Sequence, residues 1–193
     1  MSNGLASEIK IPIEYTSLEF VRPITWEEIF NQWRKGEAKQ KSWKKHWEER
    51  GFSSWEEWRQ AYAAPLQPEF LSWYLYKIND PLKEFPLIFG VPADAWIRKA
   101  YNGEKTKQMQ DIINAPVFKE NDKIIDIKKD FPKETMFTGL ICENKIVLVE
   151  GMHRACAIAS WDPNIPFDSQ LTIALALWNK EIPDIGGNYK NKK

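Results

Sequence analysis

A chain of 193 residues is about one domain's length and can bury a real core. Its 43% hydrophobic and 28% charged residues exclude a wholly disordered or collagen-like polypeptide. The 27 Lys and Arg balance 27 Asp and Glu, so binding to nucleic acid or an acidic membrane requires a local patch. No window approaches the roughly 18 apolar residues of a membrane span, and the opening MSNGLASEIK lacks the apolar stretch of a secretory signal. Cys142, Cys156, His46 and His153 make no metal-ligand spacing, so the expectation is a cytoplasmic protein with neither a disulfide scaffold nor a metal centre.

In chain order, the alternation of Ile9, Ile11, Ile13 and Tyr15 predicts a short strand, confined to a sheet edge by Pro12. Thr25-Trp-Glu-Glu28 and Ser54-Trp-Glu-Glu57 both follow the S/T-x-x-E capping box, in which hydroxyl and carboxylate satisfy each other's backbone N–H at a helix start. The first helix presents Trp26, Ile29, Phe30 and Trp33 on one face, with Gly36 as its stop; the second carries Trp55, Trp58 and Tyr62 and ends before Pro65. Between them, residues 42–50 place Trp43 and Trp47 one helical turn apart. Residues 68–78 read as a helix opened by Pro68 and broken at Asn79-Asp80-Pro81. An irregular, proline-rich stretch over 81–92 should pack on the core, followed by helices at 94–101 and 105–114.

The second half changes character. Apolar runs at 136–142 and 145–150 flank Glu143-Asn144, a hairpin signature, with Thr138-Gly139 as a bulge or a site of close approach, and the second run should be central to the sheet. An Ala-rich helix over 152–161 and a buried strand over 171–178 follow, then a basic tail at 188–193. The fold class expected is α+β.

The string Val147-Leu-Val-Glu-Gly-Met-His-Arg-Ala-Cys-Ala157 is a strand that turns at glycine into a helix beginning with His153 and Arg154. A helix start offers unpaired N–H groups and a positive dipole end, glycine permits close approach, and basic side chains add charge-assisted donors. That chemistry suits an anion, the alternative being that Arg154 pairs with an acidic neighbour. Glu150 is the acid/base candidate, or else caps the helix or pairs with Arg154.

Here the chain resembles the ParB/sulfiredoxin-like superfamily, whose motif G-x-(H/R)-R-x-x-A is matched by Gly151-Met152-His153-Arg154-Ala155-Cys156-Ala157. The resemblance covers roughly 115–178, with a strand and helix from 9–33. It implies a small mixed sheet built from 1–33 and 115–180, with 34–114 as a mainly helical Trp-rich insertion or lid and 181–193 as a flexible tail. It also implies nucleotide binding, ATP or another nucleotide with or without Mg²⁺, through the phosphate-binding stretch Gly151, Met152, His153 and Arg154. Phosphoryl transfer or nucleotide hydrolysis would then be the reactions open to Glu150. Arg22, in an Arg-Pro that resembles one near the start of sulfiredoxin domains, and Thr138 are auxiliary candidates.

Sulfiredoxins carry Cys where this chain has Met152, a thioether that cannot act as a nucleophile, and Cys156 reads as a core residue. Only 36 residues follow Ala157, so no room is expected for a helix-turn-helix domain of the partition type. The alternative function is a nucleic-acid-associated module: Lys39, Lys41, Lys44, Lys45, His46 and Arg50 interleave with Trp43 and Trp47, a pattern that serves either base stacking or an ordinary core face with solvated lysines. A third is a protein-interaction module.

Overall fold

The computed structural model describes residues 9–187 and 190. An open five-stranded mixed sheet, covered by helices on both faces, makes this a mixed α and β protein. Strand β1 (Leu18–Ile24) leads through the Thr25 cap into α1 (Trp26–Glu37). Helices α2 (Lys41–Glu48) and α3 (Trp55–Ala63) follow, and two 3₁₀ turns deliver the chain to β2 (Trp73–Ile78). The short helices α4 (Pro81–Glu84), α5 (Asp94–Lys99), α6 (Met109–Ile112) and α7 (Pro116–Lys119) precede α8 (Asp122–Lys129). Next comes the hairpin of β3 (Glu134–Cys142) and β4 (Lys145–Glu150), then α9 (Met152–Ala159) and β5 (Gln170–Leu177).

The strand order is β1-β2-β5-β3-β4, with β3 and β5 parallel and the other pairs antiparallel. Both faces are buried, so the central strands carry apolar residues at consecutive positions instead of alternating with polar ones. Leu171, Ile173 and Leu175 of β5 and Ile146 and Leu148 of β4 pack on one side, with Phe85, Phe137 and α9. Ala174, Ala176, Val147 and Val149 pack on the other, where small side chains leave room for Trp33, Trp55, Trp58 and Trp73.

Thr25 forms the full reciprocal capping box with Glu28. At the second box Ser54 accepts from the Glu57 N–H, but Glu57 reaches one residue further back, to the N–H and hydroxyl of Ser53. The hairpin forms at Glu143-Asn144, with the positive φ (55°) on Glu143, and the register shifts between Thr138 and Gly139 as a bulge.

Several expectations are corrected. Residues 9–15 are not a strand: Tyr15 turns back to the Pro12 carbonyl, and its buried hydroxyl donates to the Leu87 carbonyl and accepts from the Ile146 N–H, so the apolar residues there pin a loop. Residues 68–78 are not a helix. Trp73-Tyr-Leu-Tyr-Lys-Ile78 is aromatic and apolar enough for a strand, and β2 pairs on both edges. The segment 34–114 therefore supplies a strand inside the sheet. Within 105–114 only α6 is helical, α1 runs through Gly36, and β4 closes one edge of the sheet, where Phe89 bonds to its Ile146 and Leu148. The tail is docked as far as Ile185, which is buried and donates to the Pro92 carbonyl, while Asp184 pairs with Lys105 at 2.6 Å. The expectation for 188–193 lies, except for Lys190, outside the described residues. Among those residues no helix is long and apolar enough to cross a membrane.

Candidate functional site

β4 ends at Glu150 and turns into α9 at Gly151, whose φ of 103° and ψ of 14° suit glycine alone. A Cβ there would collide with the Phe137 ring. The expected open phosphate cradle is not what forms. Gly151 is buried beneath Phe137, and Met152 is buried with its sulfur 3.9 Å from the Tyr101 hydroxyl, so both are packing residues. Cys156 is equally enclosed, and burial pushes its thiol up to about 12, which leaves it un-ionised at neutral pH.

The polar side of the turn belongs to Glu150 and Arg154, one helical turn apart. Arg154 Nη2 donates to both carboxylate oxygens of Glu150 at 2.7 Å, Nη1 donates to Thr135 Oγ1, and the guanidinium lies 5.0 Å from the Phe137 centroid. Glu150 is thus committed to orienting Arg154, with one hydrogen bond at each of its carboxylate oxygens. Thr138 faces the other side of the sheet, where its fully buried hydroxyl accepts from Trp33 Nε1 at 2.9 Å. Arg22 is exposed on β1, at the opposite edge of the sheet, and pairs with Glu28 at 2.9 Å. The structure gathers Glu150, His153 and Arg154 and leaves Arg22 and Thr138 apart.

A residue that the sequence reading passed over completes the cluster. Helices α8 and α9 pack side by side in the same direction: near their C-terminal ends Lys128 Nζ donates to the Ser160 carbonyl at 2.5 Å, and near their N-terminal ends Lys123 is within electrostatic range of Glu150 and Arg154, as it is of Glu37 and Arg59. Lys123 Nζ stands 3.8 Å from the Trp43 centroid. Among the described residues it has no carboxylate within ion-pair distance. Burial lowers its pKa, as do Arg59 and Arg154, against the opposing pull of Glu37 and Glu150. Asn121, which caps α8 by accepting from the N–H groups of Lys123 and Ile124, followed by apolar residues at 124 and 127, is the sequence signal that marks this helix.

Parallel helices set like dipole ends side by side, an arrangement that an opposite charge at each pole relieves. At the C-terminal pole Lys128 supplies that charge. The N-terminal pole carries the cations Lys123 and Arg154 together with the carboxylates of Asp122, in the first turn of α8, and Glu150. His153 adds no charge there: burial, Lys123 and Arg154 hold its pKa down to about 4, and its ring meets the edge of Trp96 at 5.7 Å. His46, in contact with Trp43 and Trp58, is lowered to about 4 by burial and by Arg50, Arg59 and Lys123.

Both histidines therefore destabilise the fold in acid. An unfolded histidine takes up a proton near 6.5, whereas the folded one refuses it until about 4, so stability is complete above 6.5 and falls as pH drops through that window. Glu28 and Glu57, held near 2 by hydrogen bonds, act only at lower pH. His46→Gln/His153→Gln is expected to remove on the order of 1–2 kcal/mol of acid sensitivity, read from urea midpoints at about pH 7 and about pH 5. Unchanged sensitivity in the double variant would show that other groups set it.

The basic Trp segment does not form a free base-stacking surface. Trp47 and Trp58 are buried, Trp43 lies under Lys123, and Lys44 and Lys45 are each 3.8 Å from Glu48 and Glu49 of their own helix. No family model, curated protein or solved structure matches the chain.

Proposed function

We propose that the N-terminal pole of α8 and α9 binds a phosphate-bearing small molecule through Lys123 and Arg154, with neutral His153 as a further donor. The observation that carries this reading is the half-buried Lys123 ammonium, which makes no ion pair among the described residues, in the field of an Arg whose orientation is already fixed. A charged group costs free energy when desolvated without a partner, and an incoming anion removes that cost. ATP or another nucleotide is the class that the ParB/sulfiredoxin resemblance implies. The hairpin, glycine turn, helix and following strand that run in the order of that resemblance support the choice. Among the described residues no three His, Cys, Asp or Glu side chains gather to hold a metal ion, and Mg²⁺ that arrives with a nucleotide needs only the phosphates and one or two carboxylates. Binding comes first in this reading, and transfer or hydrolysis of a phosphoryl group would require Glu150 to leave Arg154.

The test is calorimetry and thermal unfolding with ATP, ADP, AMP and pyrophosphate, each with and without Mg²⁺. A ligand at about 100 times its dissociation constant should stabilise the protein by about 2.7 kcal/mol. Lys123→Met should weaken that binding at least tenfold, about 1.4 kcal/mol, while the ligand-free variant is as stable as the parent or more so. A destabilised ligand-free variant with unchanged affinity would make Lys123 structural. Binding of single-stranded nucleic acid that falls steeply with salt, with no response to nucleotides, would favour the nucleic-acid alternative.

A further inference from the structure

Along the same helix pair lies a cavity of about 240 Å³, lined from α7, from Ile124, Ile125 and Lys128 of α8 and from the C-terminal half of α9. Its apolar walls include Phe118, Ile124 and the Cys156 thiol, all buried. Its polar groups are Asn114, Lys119 and Lys128 together with Ser160, and among the described residues no carboxylate lines it. Among the described residues Lys119 and Lys128 make no ion pair; Lys119 is exposed, and Lys128 donates to the uncharged Ser160 carbonyl while its charge also acts on Asp162.

We propose that this cavity binds a medium-chain monocarboxylate, its tail along Phe118 and Ile124 and its carboxylate between Lys119 and Lys128. An apolar cavity of about 150 Å³ accepts benzene, so about 240 Å³ scales to roughly ten non-hydrogen atoms, the size of octanoate. Two cations on an apolar recess select an anionic head over a neutral or cationic one. The Cys156 thiol, un-ionised in the wall, offers the tail a soft apolar surface and takes no part in chemistry.

Octanoate, octanol, octylammonium and acetate are titrated into the full-length protein by calorimetry. Octanoate alone should bind with measurable heat, because acetate lacks the tail and the others lack the charge. Ile125 lines the cavity and is 40% exposed, so Ile125→Glu sets a negative charge at its mouth and should weaken octanoate at least tenfold without harming the fold. Lys119→Glu, also exposed, should do the same. Lys119→Glu/Lys128→Glu should lose octanoate and gain octylammonium. Lys123→Met, outside the cavity lining, should leave octanoate affinity unchanged, which separates this site from the phosphate site. Absence of octanoate binding, equal affinity for octanoate and octylammonium, or loss of octanoate in Lys123→Met would each overturn the proposal.

Discussion

Glu37→Ala is expected to destabilise the protein by about 3–5 kcal/mol, because it strands a guanidinium in the centre of the Trp layer. Arg59 is 5% exposed and Glu37 7%. Arg59 Nε donates to Glu37 Oε2 at 2.7 Å, Nη2 donates to Oε1, and Trp55 Nε1 donates to Oε2 at 2.9 Å. Burial pulls the Arg59 pKa down, but the charge and hydrogen bonds of Glu37 outweigh it and keep the guanidinium ionised. The aromatic rings around it, Trp58 at 4.4 Å, Tyr62 at 4.6 Å and Trp33 at 5.2 Å from Cζ, add cation–π attraction without taking the place of an anion. Glu37→Leu/Arg59→Met removes both charges and should recover most of the loss. The measurement is equilibrium urea unfolding of the three proteins. A loss below about 1 kcal/mol in Glu37→Ala would mean that the aromatic rings alone sustain the cation.

Gly151→Ala is the second large effect, an expected loss of about 2–4 kcal/mol. About 1–3 kcal/mol of it comes from holding an L-residue at φ 103°, and the remainder from driving a methyl group into Phe137. The two parts separate in a cycle with Phe137→Leu, which makes room without changing the backbone. A coupling of at least about 1 kcal/mol between the two positions would report the collision, and the residual loss would report the strain. Additive effects would show that Phe137 is not what the methyl group meets. In each stable variant the Glu150–Arg154 pair should persist, since both residues keep their places either side of the turn.

Both predictions rest on contacts that differ in how far the sequence announces them. Local chemistry was legible. The hydroxyl–Glu spacing at Thr25 and Ser54, the Glu143-Asn144 turn between two apolar runs, and the glycine before an Ala-rich helix each encode their structure within a few residues, and each appears where its spacing places it. The aromatic stripe of α1 likewise became core, because helical periodicity alone determines which face is apolar. Residues 68–78 show where such reading ends. A strand paired on both edges and covered on both faces has no alternating pattern, so its apolar run looks the same as a buried helix until its neighbours are known. The functional cluster divides in the same way. Sequence adjacency identified Glu150, Gly151 and Arg154, and the four-residue spacing left open whether the acid and base would meet. Only packing decided that Glu150 is committed to Arg154, that burial leaves His153 uncharged, and that Lys123, nearly thirty residues upstream, stands beside them as the unpaired cation. Charge compensation and desolvation depend on which groups meet in space, and the parallel packing of α8 on α9 sets that for this site.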